Sequence, residues 1–389
     1  MRRIHNVFHL WTALAVRLLL LGVTMAVWLS AVHADAEASS GVPVTFTLSI
    51  KTSPSAKYET SETYDRADWR RAWTKAKTAE LTEPSSVYTD TYIEVTDEGV
   101  KRQYAMRADG VLFEPATGKT VTLSAKVRKT WRTNAVKLRK RHYGEIVDWD
   151  EAKSRLPLKA VVAVVDMETG LSFRAQRRAG SSHADVQPLT REDTAVMKQI
   201  YGGTWSWRRR AIVVVPEGGE QRVAASMHGM PHGGDGIPDN GFSGHFCIHF
   251  RGSATHGSGK TDLSHQLMVY KAAGRLSELY QAATPEQLTE YVFDSLHQQD
   301  EAVLRAALQG APSETLQAFL TWFSKIDALR IASMQPGDPH EGQVTAEVPL
   351  KVVWNGRGGG VRLESVRLLF ARENAHSPWV VASFETGKK

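Results

Sequence analysis

The stretch from Met227 to Phe250 reads MHGMPHGGDGIPDNGFSGHFCIHF, and the rest of the chain is organised around it. It holds the only cysteine, Cys247. His245 stands two residues before that cysteine, His249 two after, and His228 upstream beyond a Gly-rich loop. A thiol attacks only as thiolate, and a neighbouring imidazole is the usual means of reaching that state near neutral pH. A lone cysteine also serves as a small core hydrophobe. The pattern around Cys247 separates the two readings.

Met227-His228-Gly229, then a loop, then Gly244-His245-Phe246-Cys247-Ile248-His249 resembles the signature of the YkuD-type L,D-transpeptidases. That signature is a His-Gly, a variable loop, Ser/Thr-His-Gly-Cys, an aliphatic residue and Arg or Asn. His228 lies nineteen positions before Cys247, similar to the family's spacing. Gly244, beside Ser243, stands where Ser or Thr is usual, Phe246 replaces a glycine, and His249 replaces Arg or Asn. The resemblance covers the middle third of the chain. It implies a mainly β catalytic domain in which Cys247 forms a thioester with a peptidoglycan stem tetrapeptide cut at its L,D bond. An amine acceptor then gives a cross-link, and water gives carboxypeptidase activity. His228 is the expected base and His245 a positioning group. His249, Ser243, His183 and Asp185 are the expected substrate contacts. No cofactor and no metal are expected. Phe246 and His249 favour a rival of another class, a wall-binding protein that keeps the fold without the chemistry.

A third reading starts from histidine density. His183, His228, His232, His245, His249, His256 and His265 crowd one region, with Asp185 and Asp235 near. A zinc-dependent wall peptidase would use such residues. Their spacing matches neither His-Glu-x-x-His nor paired Cys-x-x-Cys, and surface roles are expected for His256 and His265.

Outward from the centre, 389 residues imply two or three domains, and 42% hydrophobic with 23% charged residues marks them as globular. The net charge of +6 suggests an anionic neighbour such as wall polymer. A single cysteine excludes an intramolecular disulfide. Arg2, Arg3 and Arg17 precede the apolar run Leu18 to Leu29 and then Ala31-Val32-His33-Ala34, which reads as a secretory signal over 1–34. An uncleaved anchor is the rival. Either places the body outside the cytoplasmic membrane, in the envelope or secreted, where nucleic acid is not an expected partner.

Residues 35–155 read as a β-rich module. Val44, Phe46, Leu48 and Ile50 alternate with polar residues, and Pro43 marks an edge or a strand start. Asp65 to Lys77 reads as one helix carrying Trp69 and Trp73 on one face. Asp97-Glu98-Gly99 and Asp109-Gly110 separate apolar runs into a meander. Lys126 to Arg141 carries eight cations and reads as a wall or membrane contact, or as a solvated strand or loop face. Residues 156–281 form the catalytic domain, opened by the buried-strand candidate Leu158 to Val165. Thr190 with Asp193 caps a helix through Ile200. Ala211 to Val215 and Arg222 to Met227 are strands, the second delivering His228. Trp205 and Trp207 beside Arg208-Arg209-Arg210 are placed either against sugars and carboxylates or in the core. Gly233 to Gly241 is a flap or a connection. Residues 282–389 form an α+β accessory module: Thr284-Pro285-Glu286-Gln287 starts a helix, two more follow, and four strands close the chain. That order is similar to nuclear-transport-factor-two-like domains. The expected architecture is therefore multidomain, with a mainly β, YkuD-like catalytic domain between a β-rich and an α+β module.

Overall fold

The computed structural model describes residues 44–81, 88–234, 236–256, 259–335 and 340–387. The signal segment, Pro43 and Asp235 lie outside them. The described chain is β-rich, with three sheets, one of them closed.

The first sheet has the order β2-β1-β4-β5-β6-β7-β3. Its strands are β1 (Thr45–Ile50), β2 (Thr60–Tyr64), β3 (Lys77–Glu80), β4 (Thr91–Asp97), β5 (Val100–Met106), β6 (Leu112–Glu114) and β7 (Lys119–Thr122). Strands β4 to β7 are neighbours in chain order, as the turn residues predicted. The expected helix is α1 (Ala67–Trp73), and Lys77 already opens a strand. Trp69 is buried and its ring lies 5.7 Å from Phe46.

The basic run is neither strand nor loop. It forms α2 (Ala125–His142), with Val127, Trp131, Ala135, Leu138 and His142 buried. Their spacings of three and four residues make one apolar stripe, which packs against β1 with Trp131 6.1 Å from Phe46. The cations occupy the remaining circumference, and their number masks the stripe in the sequence.

The second sheet is a closed barrel of order β10-β13-β12-β11-β8-β9. Its strands are β8 (Val161–Asp166), β9 (Ser172–Ala179), β10 (Ala184–Pro188), β11 (Arg210–Pro216), β12 (Val223–Met227) and β13 (Phe246–His249). Strand β8 starts three residues after Leu158, which is 61% exposed, so the aliphatic run overshoots the strand. The core includes Val162, Val164, Phe173, Ile212, Val214, Met227, Phe246 and Ile248. It extends back to Val147 and to Trp149 of α3 (Trp149–Arg155), upstream of Leu156. Arg210 of β11 pairs with the fully buried Asp166 through Nε–Oδ2 and Nη2–Oδ1 contacts of 2.6 Å, fixing the β8–β9 turn against β11. The helix α4 (Arg191–Ile200) begins with a capping box between Thr190 and Asp193.

After β13 come α5 (Leu263–Ala272), α6 (Leu276–Ala282), α7 (Pro285–Gln298), α8 (Glu301–Ala307) and α9 (Ser313–Lys325). Helix α7 has the predicted cap, Thr284 with Gln287 and Pro285 in the first turn. Strands β14 (Ile326–Met334), β15 (Thr345–Gly356), β16 (Val361–Ala371) and β17 (Val380–Thr386) make an antiparallel meander. No helix among the described residues is long and apolar enough to cross a membrane.

Candidate active site

Side chains alternate along a strand, so each barrel strand has an inward and an outward face. In β13, Phe246 and Ile248 enter the core, and His245, Cys247 and His249 take the opposite face. In β10, Ala184 and Val186 enter the core, leaving His183 and Asp185 outside. In β12, Ala225 and Met227 point in, and Ser226 and the following His228 point out. Register completes the assembly: Asp185 lies opposite Cys247, and Ser226 opposite His249. Helix α5 adds His265, and the loops add His232 and His256. The outer face of three adjacent strands thus brings imidazole, thiol and carboxylate side by side.

Cys247 is 3% exposed. Among the described residues its hydrogen-bond partners are His232, with Sγ to Nε2 3.4 Å, and Asp185, with Sγ to Oδ1 3.9 Å. The Nδ1 of His232 donates to the Met230 carbonyl at 3.1 Å, so Nε2 turns a lone pair toward the thiol. The loop holds that ring in place by pairing its backbone with His245, the two N···O distances being 3.0 and 2.7 Å. Two glycines permit the pairing. A Cβ on Gly233 would meet His245 Cε1 at 2.3 Å, and one on Gly244, at φ +89°, would meet the His232 carbonyl oxygen at 2.3 Å. A residue with a side chain therefore has no room at Gly244, where the signature usually carries Ser or Thr.

On the other side of Asp185, His183 Nδ1 donates to the Ala254 carbonyl at 2.7 Å. His183 Nε2 lies 3.1 Å from Asp185 Oδ1 and 2.9 Å from His256 Nε2, and that nitrogen is 3.0 Å from the same oxygen. His245 Nε2 is 3.6 Å from Oδ1 and has no hydrogen-bond partner among the described residues. Beneath them, His183, His249 and His265 stack, with centroids 4.5 and 3.8 Å apart, and His265 bonds Ser226 Oγ at 2.8 Å.

Burial dominates the electrostatics. It lowers the pKa of His228 and of His249 to about 2, helped by Arg209 and the neighbouring rings, and drives that of His265 well below its usual value. Burial also lowers His245, against the pull of Asp185. For Asp185 burial acts upward, but the His183, His245 and His256 imidazoles around it outweigh burial and bring the carboxyl to about 2. Burial, and then Asp185, push the Cys247 thiol up. The thiol therefore stays protonated at rest, and its proton must leave as it attacks. His232 is placed to take it.

The expected residues divide. Cys247, His245, His249, His183 and Asp185 come together, whereas Ser243 is exposed and lines a different cavity, with Arg191 and Phe242. His228 is buried, but its ring sits 5.2 Å from that of His232 and is not among the thiol's partners. The surface expectation is corrected for His265, which is 1% exposed, whereas His256 is exposed as expected and also bonds into the cluster through Nε2. His232 was legible as a second His-Gly, fifteen positions before Cys247. His256 is also a His-Gly, with Gly257, but it lies after Cys247, and only the fold brings its loop back. The Gly-rich loop is tied down, Asn240 Nδ2 bonding the Pro188 carbonyl at 2.8 Å and Ile237 N bonding Gln187 Oε1 at 2.8 Å. Of the aromatic pair, Trp205 packs on Phe242 at 5.3 Å, while Trp207 is 50% exposed beside His228 and His232. Arg208, Arg209 and Arg210 pair with Asp327, Asp262 and Asp166. Two overlapping sets have metal-ligand spacing, His232-His245-Cys247-His256 and His183-Asp185-Cys247-His256, each with its donor atoms within 4.8 Å of one another. Comparison with models of known families, with curated proteins and with solved structures found no match to the chain.

Proposed function

We propose that the chain is an exported, cysteine-dependent enzyme of the L,D-transpeptidase kind, acting on peptidoglycan stem tetrapeptides. One observation carries this reading: Cys247 Sγ lies 3.4 Å from the unprotonated nitrogen of His232. The thiol proton passes to His232 Nε2 as Sγ attacks the carbonyl carbon of the L,D peptide bond. The C–N bond breaks, the amine leaves with that proton, and a thioester remains. A second amine or water resolves it and restores the thiol. Asp185 and His245 hold the surrounding groups, and the exposed face of Trp207 flanks the approach to the site. The cationic outer side of α2 suits an anionic wall polymer.

A zinc-dependent wall peptidase is the second reading, favoured by the two sets of donor atoms. Turnover of tetrapeptide muropeptides by the chain, wild type beside Cys247→Ala, separates the two. Mass spectrometry is expected to detect loss of the terminal D-residue, or dimers, in the wild type only. Equal turnover by both proteins would overturn the thiol reading, and loss of turnover on chelation would bring zinc forward.

A further inference from the structure

We propose that His183, Asp185, His256 and Cys247 bind one divalent ion of the zinc class, and that the bound ion holds the thiol out of reaction. The four donor atoms lie within 4.8 Å of one another. Three form a near-equilateral triangle: His183 Nε2 to His256 Nε2 is 2.9 Å, His256 Nε2 to Asp185 Oδ1 is 3.0 Å, and His183 Nε2 to Oδ1 is 3.1 Å. Tetrahedral zinc with nitrogen and oxygen ligands at about 2.0–2.1 Å sets its donors about 3.3 Å apart. A Zn–S bond of about 2.3 Å places sulfur about 3.6 Å from such a ligand. Cys247 Sγ is 3.9 Å from Oδ1, so small shifts close the set.

Hydrogen bonding alone serves the triangle with one shared hydrogen, that of His256 Nε2. The Ala254 carbonyl can only accept, so Nδ1 of His183 carries a hydrogen. A neutral His183 then aims the lone pair of Nε2 at a carboxylate oxygen 3.1 Å away. In the neutral cluster the one hydrogen that His256 Nε2 can carry must serve both of these acceptors, at 2.9 and 3.0 Å, whereas a metal ion among the three atoms engages every lone pair. With a metal ion, Ala254 becomes the outer carbonyl that orients a ligating histidine. Carboxylate and thiolate together neutralise a divalent charge. The side chain of His256 is 53% exposed, which gives the ion a way in from solvent.

As the S–metal bond forms, Cys247 releases its proton to solvent, one per ion. The sulfur lone pair is then committed to the metal, and His232 has no thiol proton to take. This silencing rests on the reading of Cys247 as nucleophile, whereas the metal site itself does not.

The test titrates the metal-stripped full chain with zinc and with cobalt, in wild type, Cys247→Ser and His256→Gln. His256→Gln alters a half-exposed side chain and spares the fold. One zinc per chain is expected, with one proton released. Cobalt should give a thiolate-to-metal charge-transfer band that Cys247→Ser lacks. His256→Gln should weaken zinc binding at least about tenfold. Stripped wild type should turn over tetrapeptide, and one equivalent of zinc should stop it. Absence of stoichiometric zinc, or affinity unchanged in both variants, would overturn the site and leave the triangle to the hydrogen bonds of His256. Zinc bound as described, with no turnover by the stripped chain, would keep the site and sink the thiol enzyme. Turnover that requires zinc would overturn the silencing.

Discussion

The inner and outer faces of β10, β12 and β13 are made by the same strands and are both buried, yet they differ in chemistry. Inside, Ala184, Val186, Ala225, Met227, Phe246 and Ile248 pack with no polar partner required. Outside, His183, Asp185, Ser226, Cys247 and His249 pack almost as tightly, yet each brings a group that must be satisfied. Apolar burial is non-directional and tolerant, whereas the outer face depends on tautomers, register and distances. Adjacent residues in one strand can thus be committed separately, one to stability and the next to chemistry.

That division breaks most visibly at two adjacent positions. Cys247→Ala is expected to lower tetrapeptide turnover at least about a thousandfold while leaving the urea midpoint almost unchanged. Phe246→Ala empties core space between Phe173 and Phe242, whose ring centroids lie 6.0 and 5.9 Å from that of Phe246, and should cost about 3–5 kcal/mol in urea unfolding. Similar losses of stability in both variants would remove the distinction between the faces.

His232→Ala is expected to reduce turnover by about 10²–10⁴, the usual worth of a general base, with little change in KM. His228→Ala should affect it less, since that ring is not a partner of the thiol. The reverse order would return the role of base to the first His-Gly.

The outer face should also carry the acid sensitivity. His228, His249 and His265 are held neutral by burial, with pKa values depressed below the usual 6.5. Unfolding restores the ordinary value, so below about pH 6.5 the unfolded chain binds protons that the folded chain refuses. Stability is full above that pH and falls as pH drops, by about 1.4 kcal/mol per pH unit for each such group. Asp185, depressed to about 2, adds its own loss below its usual 3.8. Urea midpoints measured from pH 8 to pH 4 should therefore decline, and a flat profile would show that these rings are not buried neutral.

Much of the fold was legible where local physics decides. Alternation announced β1, the aliphatic run Ala211 to Val215 announced β11, and the caps at Thr190 and Thr284 announced two helices. Helix α2 was missed because eight cations hid a stripe of five buried residues. The thiol and the β13 histidines were legible because period two puts His245, Cys247 and His249 on one face. His256 and His265 were not, since they reach the cluster through a loop and a helix whose paths are set by packing on the barrel. His228 and His232 both precede a glycine, and only the backbone pairing of His232 with His245 tells which ring meets the sulfur.

The most direct test of the account is the mass of the intact chain during turnover of a stem tetrapeptide. Wild type should gain one acyl fragment, mapped by peptide digestion to Cys247, and Cys247→Ala should gain none while remaining folded. Turnover by wild type without any covalent adduct, or with an equal adduct in Cys247→Ala, would contradict a nucleophile on the outer face of β13.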